Sequence, residues 1–216
     1  PPVSTSTGGP LFRSFKPTPS PTRFFPNLND LVSNTDPVWE ELPGVARTMN
    51  FRVSVRDNNS DGGCTEQANV QLSVTGTAGP FVVTQPNTPA IWFVGDSKTV
   101  TWDVANTNVA PVNCAQVRIL LSVDGGYTYP FVLADTIPNT GSAMVDVPNA
   151  LSATCRVMVQ SVGNVFFDIS NQNFIIQNPP VATFLLNISA GAQEQLCAGD
   201  TLRFTAMIEP VAGFYD

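Results

Sequence analysis

Apolar and polar residues alternate with a period of two along most of the chain. Phe51, Val53 and Val55 alternate with Arg52, Ser54 and Arg56, and Val70, Leu72 and Val74 repeat the pattern after an intervening loop. This periodicity predicts strands with one wet face, and the loop DNNSDGG between them makes the pair a hairpin. From Phe81 to Asn178 the alternation recurs in short runs at 80–84, 99–104, 116–122, 131–134, 143–147, 155–161 and 173–177, each bounded by Gly, Pro, Asn or Asp. Seven short strands with regular turn signals over about 100 residues are the signature of a β-sandwich. Trp102 falls where an inward-facing residue of an early strand belongs, and it reads as a core side chain. No helix-length stretch of period 3.6 occurs; 29–31 offers at most one helical turn. The fold class is all-β.

Punctuation divides the chain into three parts. Residues 1–79 read as a partial β-sandwich module with a Pro-rich N-terminal segment. Residues 80–178 read as a complete sandwich, and 179–216 as the start of a third. Residues 1–26 hold seven prolines, each lacking the N–H that a ladder needs. Phe12, Phe15, Phe24 and Phe25 are too apolar for a free linker and are expected to pin this segment to a neighbouring surface. Trp39 and Leu42 are expected to anchor the loop that follows. Two long strands are too few for a stable domain, so 10–50 and residues preceding Pro1 are both expected to supply strands to the first sheet. After Asn178-Pro179-Pro180, 184–188 and 202–208 alternate again. The Pro/Ser/Thr-rich start and the end soon after a strand-like run suggest a piece of a longer protein.

Composition narrows the function. Net charge is −7 with only 10 Lys+Arg, whereas binding nucleic acid or an anionic membrane calls for a basic face. No apolar run approaches the ~20 residues of a membrane-spanning helix. Low charge at 12%, with abundant Thr, Ser, Asn, Gly and Pro, suits an extracellular β-module. Histidine is absent, which removes the ordinary catalytic triad and the HExxH zinc site from these residues. Four cysteines, Cys64, Cys114, Cys155 and Cys197, allow three disulfide pairings; free thiols and one disulfide fit equally well.

Three stretches carry patterns tied to chemistry. Ser122, Asp124, Gly126, Thr128 and Tyr129 fit the Asp-box pattern S-x-D-x-G-x-T-aromatic, with Tyr at the aromatic place. A carboxylate at such a turn accepts N–H groups of its own loop, so the role is structural. Sialidase-like propellers need several boxes, and there is one here. Asp57, Asn59 and Asp61, followed by Gly62, match the front half of a calcium loop. Their spacing can aim three oxygens at one point, but Ala68 stands where the closing acid belongs. Asn-Asp-Gly runs also make ordinary hairpin turns, the simpler reading. Calcium is the one cofactor the pattern admits. Asp36, Glu40 and Glu41 read as an exposed acidic loop rather than paired glycosidase carboxylates. Phe166-Phe167-Asp168 reads as a packing corner.

The order of segments also carries a resemblance. Residues 24–58 (FFPNL…WEELPGVARTMNFRVSVRDN) resemble the segment after the catalytic domain of reprolysin-like zinc metalloproteases of gram-negative bacteria that use type IX secretion. Residues 80–176 (GPFVVTQPN, TVTWDV, VRILLSVDGGYTYP, VDVPN, FFDISNQNFII) resemble the immunoglobulin-like domain next in order. They are also similar to the β-sandwich of fungal Ser/Thr-rich GPI-anchored cell-wall proteins. The last segment looks like a further repeat. The resemblance implies tandem immunoglobulin/fibronectin-III-like sandwiches, secreted or on the cell surface. The family's HExxHxxGxxH motif is not in these residues, so the implied role is a non-catalytic spacer, docking or interaction region of a secreted metalloprotease. Its partner would be the catalytic domain upstream in the same polypeptide, with a protein or glycan ligand besides. An alternative is a cell-surface or carbohydrate-binding adhesin module, which exposed aromatics on one sheet face would favour. An independent carboxylate enzyme is the remaining class.

Overall fold

A computed structural model describes residues 1–180. The period-2 hairpin forms strands β1 (Arg47–Arg56) and β2 (Thr65–Val74), paired antiparallel with Phe51 opposite Val70 and Val53 opposite Ala68. Facing residues share one side of a sheet, so Met49, Phe51, Val53, Val70 and Leu72 make one apolar face. The other face carries ladders of polar side chains, Gln71 to Asn50 at 3.0 Å and Arg52 to Asn69 at 2.9 Å. Among the described residues neither strand pairs with a third.

The sandwich is built from nine strands: β3 (Val82–Gln85), β4 (Ile91–Phe93), β5 (Ser97–Asp103), β6 (Gln116–Ser122), β7 (Phe131–Pro138), β8 (Ser142–Asp146), β9 (Ser152–Ser161), β10 (Phe167–Ile169) and β11 (Phe174–Gln177). One sheet runs β3-β5-β8; the other runs β4-β11-β9-β6-β7, with β10 also on β9. All pairings are antiparallel except β4 with β11. The predicted runs at 116–122 and 173–177 correspond to β6 and β11. The sequence pattern omits β4 and β10, each three residues long, too short to show a period. Of residues 166–168, read as a packing corner, Phe166 packs on Phe81 at 5.1 Å, while Phe167 and Asp168 enter a strand.

The core holds the inward set of each alternating strand. Val100 and Trp102 of β5, Val117, Ile119 and Leu121 of β6, and Cys155, Val157 and Val159 of β9 are all buried. Trp92 packs on Phe174 with ring centres 4.4 Å apart and the planes tilted by 44°. Trp102 is core, as its position predicts, and its Nε1 donates to Asn139 Oδ1 at 2.8 Å. Asn139 Nδ2 in turn donates to Thr107 Oγ1 and the Cys114 carbonyl, so a buried amide is satisfied on both sides. The edge strand β7 breaks register with β6 twice and ends in Pro138, which blunts it against further pairing.

The N-terminal segment is pinned through Phe12 and Phe25, which pack on Phe51 at 6.0 and 5.1 Å. A short helix α1 (Leu28–Ser33) follows, its N-cap Asn27 accepting from the Asp30 N–H, the ordinary way to satisfy an end-of-helix donor. The loop anchors differ from expectation. Trp39 and Leu42 are about half exposed, at 49% and 52%. Glu40, expected on an exposed acidic loop, is the buried residue, at 1%. Its carboxylate takes Arg23 at 2.6 Å and the Asn27 N–H at 2.6 Å, and that pairing is what makes its burial tolerable.

Residues 1–178 pack as one unit. The strand-like runs at 184–188 and 202–208, and Cys197, lie outside the described residues. Cys64, Cys114 and Cys155 are thiols. No helix among the described residues is long and apolar enough to cross a membrane.

Candidate functional site

The Asp box lies at the end of β6, where the strand turns toward β7. Asp124 Oδ1 accepts the N–H groups of Tyr127 at 3.0 Å and Thr128 at 2.9 Å; Oδ2 accepts the Thr128 hydroxyl at 2.6 Å. Ser122 Oγ donates to Asp124 Oδ1 at 2.7 Å and accepts from the Gly126 N–H at 2.8 Å. Gly125 and Gly126 have φ of 85° and 102°, a region that side chains with a Cβ rarely enter. Partial burial by itself would raise the Asp124 pKa. The donors from Thr128, Ser122 and Tyr127 outweigh it and hold the carboxyl at about 2. An anion saturated by four donors of its own turn is a poor base or nucleophile, and here it is a strut.

Tyr129, the aromatic of the box, covers the turn from the inside. Burial pushes its phenol well above the usual range, with Arg156 opposing and Asp124 and Asp168 adding to the shift. Arg156, on β9, donates Nε to Asn173 Oδ1 at 2.7 Å and Nη1 to the Ser170 carbonyl at 3.1 Å. Desolvation pulls its pKa down. Asp168, on β10, joins the two sheets by accepting the Val83 N–H at 2.6 Å. Its burial raises its pKa against the opposing hydrogen bonds from Val83 and Ile169.

Asp57, Asn59 and Asp61 lie in the hairpin loop, remote in sequence from the box. Asp57 Oδ1 accepts the N–H groups of Asn59 at 3.1 Å and Cys64 at 3.0 Å, and Asn59 Oδ1 accepts that of Asp61 at 3.1 Å. The bonds from Asn59 and Cys64 lower the Asp57 pKa. These oxygens serve the loop's own backbone, the geometry of consecutive Asx turns. Among the described residues no three His, Cys, Asp or Glu side chains are grouped to hold a metal.

Two features escape the sequence pattern. One is a clasp in which the Arg23 guanidinium lies 3.9 Å from the Phe15 ring centre and 4.3 Å from that of Phe25, while pairing with Glu40. The clustered phenylalanines are its one sequence signal; the Arg23–Glu40 pair spans 17 positions and has no periodic trace. The other is a shallow groove of about 330 Å³ bordered by Thr84, Gln85, Asn87, Thr88, Trp92 and Thr99. Hydroxyls and amides of this kind can hydrogen-bond a neutral polar ligand and supply no acid–base pair. Among the described residues the exposed aromatics Phe15, Trp39 and Tyr127 all lie in loops rather than on one sheet face. No protein-family model matches the chain, and no curated protein is similar to it at a significant level.

Proposed function

We propose that this chain is a non-catalytic accessory region of a secreted metalloprotease, an immunoglobulin-like spacer or docking unit beside a catalytic domain elsewhere in the same polypeptide. The observation that carries the reading is the strand order of residues 80–178. β3 pairs with β5, whereas the next strand, the short β4, pairs parallel with the last strand, β11, in the opposite sheet. A three-strand sheet, β3-β5-β8, facing a second sheet in which β11, β9, β6 and β7 lie side by side supports an immunoglobulin-like sandwich. It falls on the stretch whose motifs resemble the immunoglobulin-like domain of the reprolysin-like proteases. The surrounding chemistry agrees with a structural role. The Asp-box carboxylate is spent on its own turn, and Glu40 is spent on Arg23.

The test is the coding sequence on the N-terminal side of Pro1. An HExxHxxGxxH motif within a few hundred residues supports the reading, and deleting 1–178 should then impair secretion, stability or substrate capture of the protease. Further sandwich repeats or a lectin-like domain in that place would overturn it in favour of a cell-surface adhesin.

A further inference from the structure

The two glycines of the Asp box face different surroundings. A Cβ on Gly125 would meet only the Tyr127 ring, at 3.9 Å. A Cβ on Gly126 would lie 2.9 Å from Cγ1 of Val32, and 3.3 Å from both Arg156 Cδ and the Tyr129 hydroxyl. The turn itself accounts for the positive φ at both positions. It does not account for Val32, which belongs to α1, some ninety residues earlier, and is 6% exposed. Two more contacts fall along the same seam. Phe24 meets Phe167 edge-on at 5.4 Å, and Asn34 Nδ2 donates to the Asn171 carbonyl at 2.9 Å. The neighbouring Phe25 turns the other way, onto Phe51 of the hairpin, and Arg23 holds Glu40 there. Consecutive residues thus grip two different bodies.

We propose that residues 24–34 are a latch between the β1–β2 hairpin and the sandwich, with the Asp box as its socket and Gly126 as the vacancy that admits Val32. The latch holds the hairpin, whose edges are open, in one orientation on the sandwich. A flexible joint would need none of this complementarity, since flexible chain is tolerated by leaving surfaces unpacked. The inference stands on this seam whatever the parent protein does.

The experiment is to measure residual dipolar couplings on the full chain. In the wild type, the N–H vectors of β1–β2 and of the sandwich are expected to fit a single alignment tensor. Val32→Asp puts a charge into the socket, and Gly126→Ala fills it; each should split the data into two tensors. Gly125→Ala is the control: it strains the same turn but leaves the seam open, so the single tensor should persist. Two tensors in the wild type overturn the latch without any variant being needed. So does a single tensor in a Val32→Asp protein whose hairpin and sandwich are both folded.

Discussion

Removing the Asp124 carboxylate tests whether the box is a strut. Asp124→Ala takes the acceptor from the Tyr127 and Thr128 N–H groups, the Thr128 hydroxyl and the Ser122 hydroxyl. The N–H groups and the Thr128 hydroxyl lie at the surface and can turn to water. Ser122 is fully buried, so losing its acceptor costs about 1 kcal/mol. The electrostatic part follows from the pKa, lowered from 3.8 to about 2. At full weight that drop is worth about 2.4 kcal/mol; the carboxylate is exposed, and solvent screening leaves about 1 kcal/mol. The total is about 2 kcal/mol, read by urea denaturation at pH 7. The sign with pH is definite. The folded pKa lies below the unfolded one, so this stabilisation is present above about pH 4 and lost as the pH falls toward 2. The gap between wild type and Asp124→Ala should therefore narrow by about 1 kcal/mol between pH 5 and pH 2. A variant within about 0.5 kcal/mol of wild type, the usual range for a plain surface change, would refute the strut. So would a gap that does not change with pH.

Other perturbations probe other parts of the unit. Asn139→Ala leaves Trp102 Nε1 and the Cys114 carbonyl without their partner in the core and should cost about 3 kcal/mol in denaturant; a loss under about 1 kcal/mol would contradict the buried network. Asp168→Asn should show the opposite pH sign to Asp124, because burial raises the Asp168 pKa. The charged form opposes folding, so the variant should gain on wild type as the pH rises through the folded pKa, and a difference that shrinks in that direction would refute the assignment. The Asp57 loop, its oxygens engaged by the backbone, should keep its amide resonances in place at about 1 mM calcium, the upper range for extracellular modules. Saturable shifts of residues 57–64 would establish an ion site instead.

Features that depend on neighbours a few positions apart are legible along the chain. Alternation at Val117, Ile119 and Leu121, or at Phe51, Val53 and Val55, sets the strand and its inward face because side chains along a strand point to opposite sides. The Asp box was legible for the same reason: Ser122, Asp124, Gly126 and Thr128 bond one another within one turn. Which outward positions also become buried is set by packing between distant segments. Arg156 and Met158 point away from the sandwich core and are nonetheless buried, although alternation alone assigns them to water. Glu40 is inside and Trp39 half outside because Arg23, brought alongside by the phenylalanine cluster, meets the carboxylate. The strands Ile91–Phe93 and Phe167–Ile169 exist because β11 and β9 offer them a partner, not because three residues carry a period. Val32 lies under Gly126 for the same physical reason. Contacts between residues distant in the chain are selected by how whole surfaces fit, and a one-dimensional pattern holds no record of that fit.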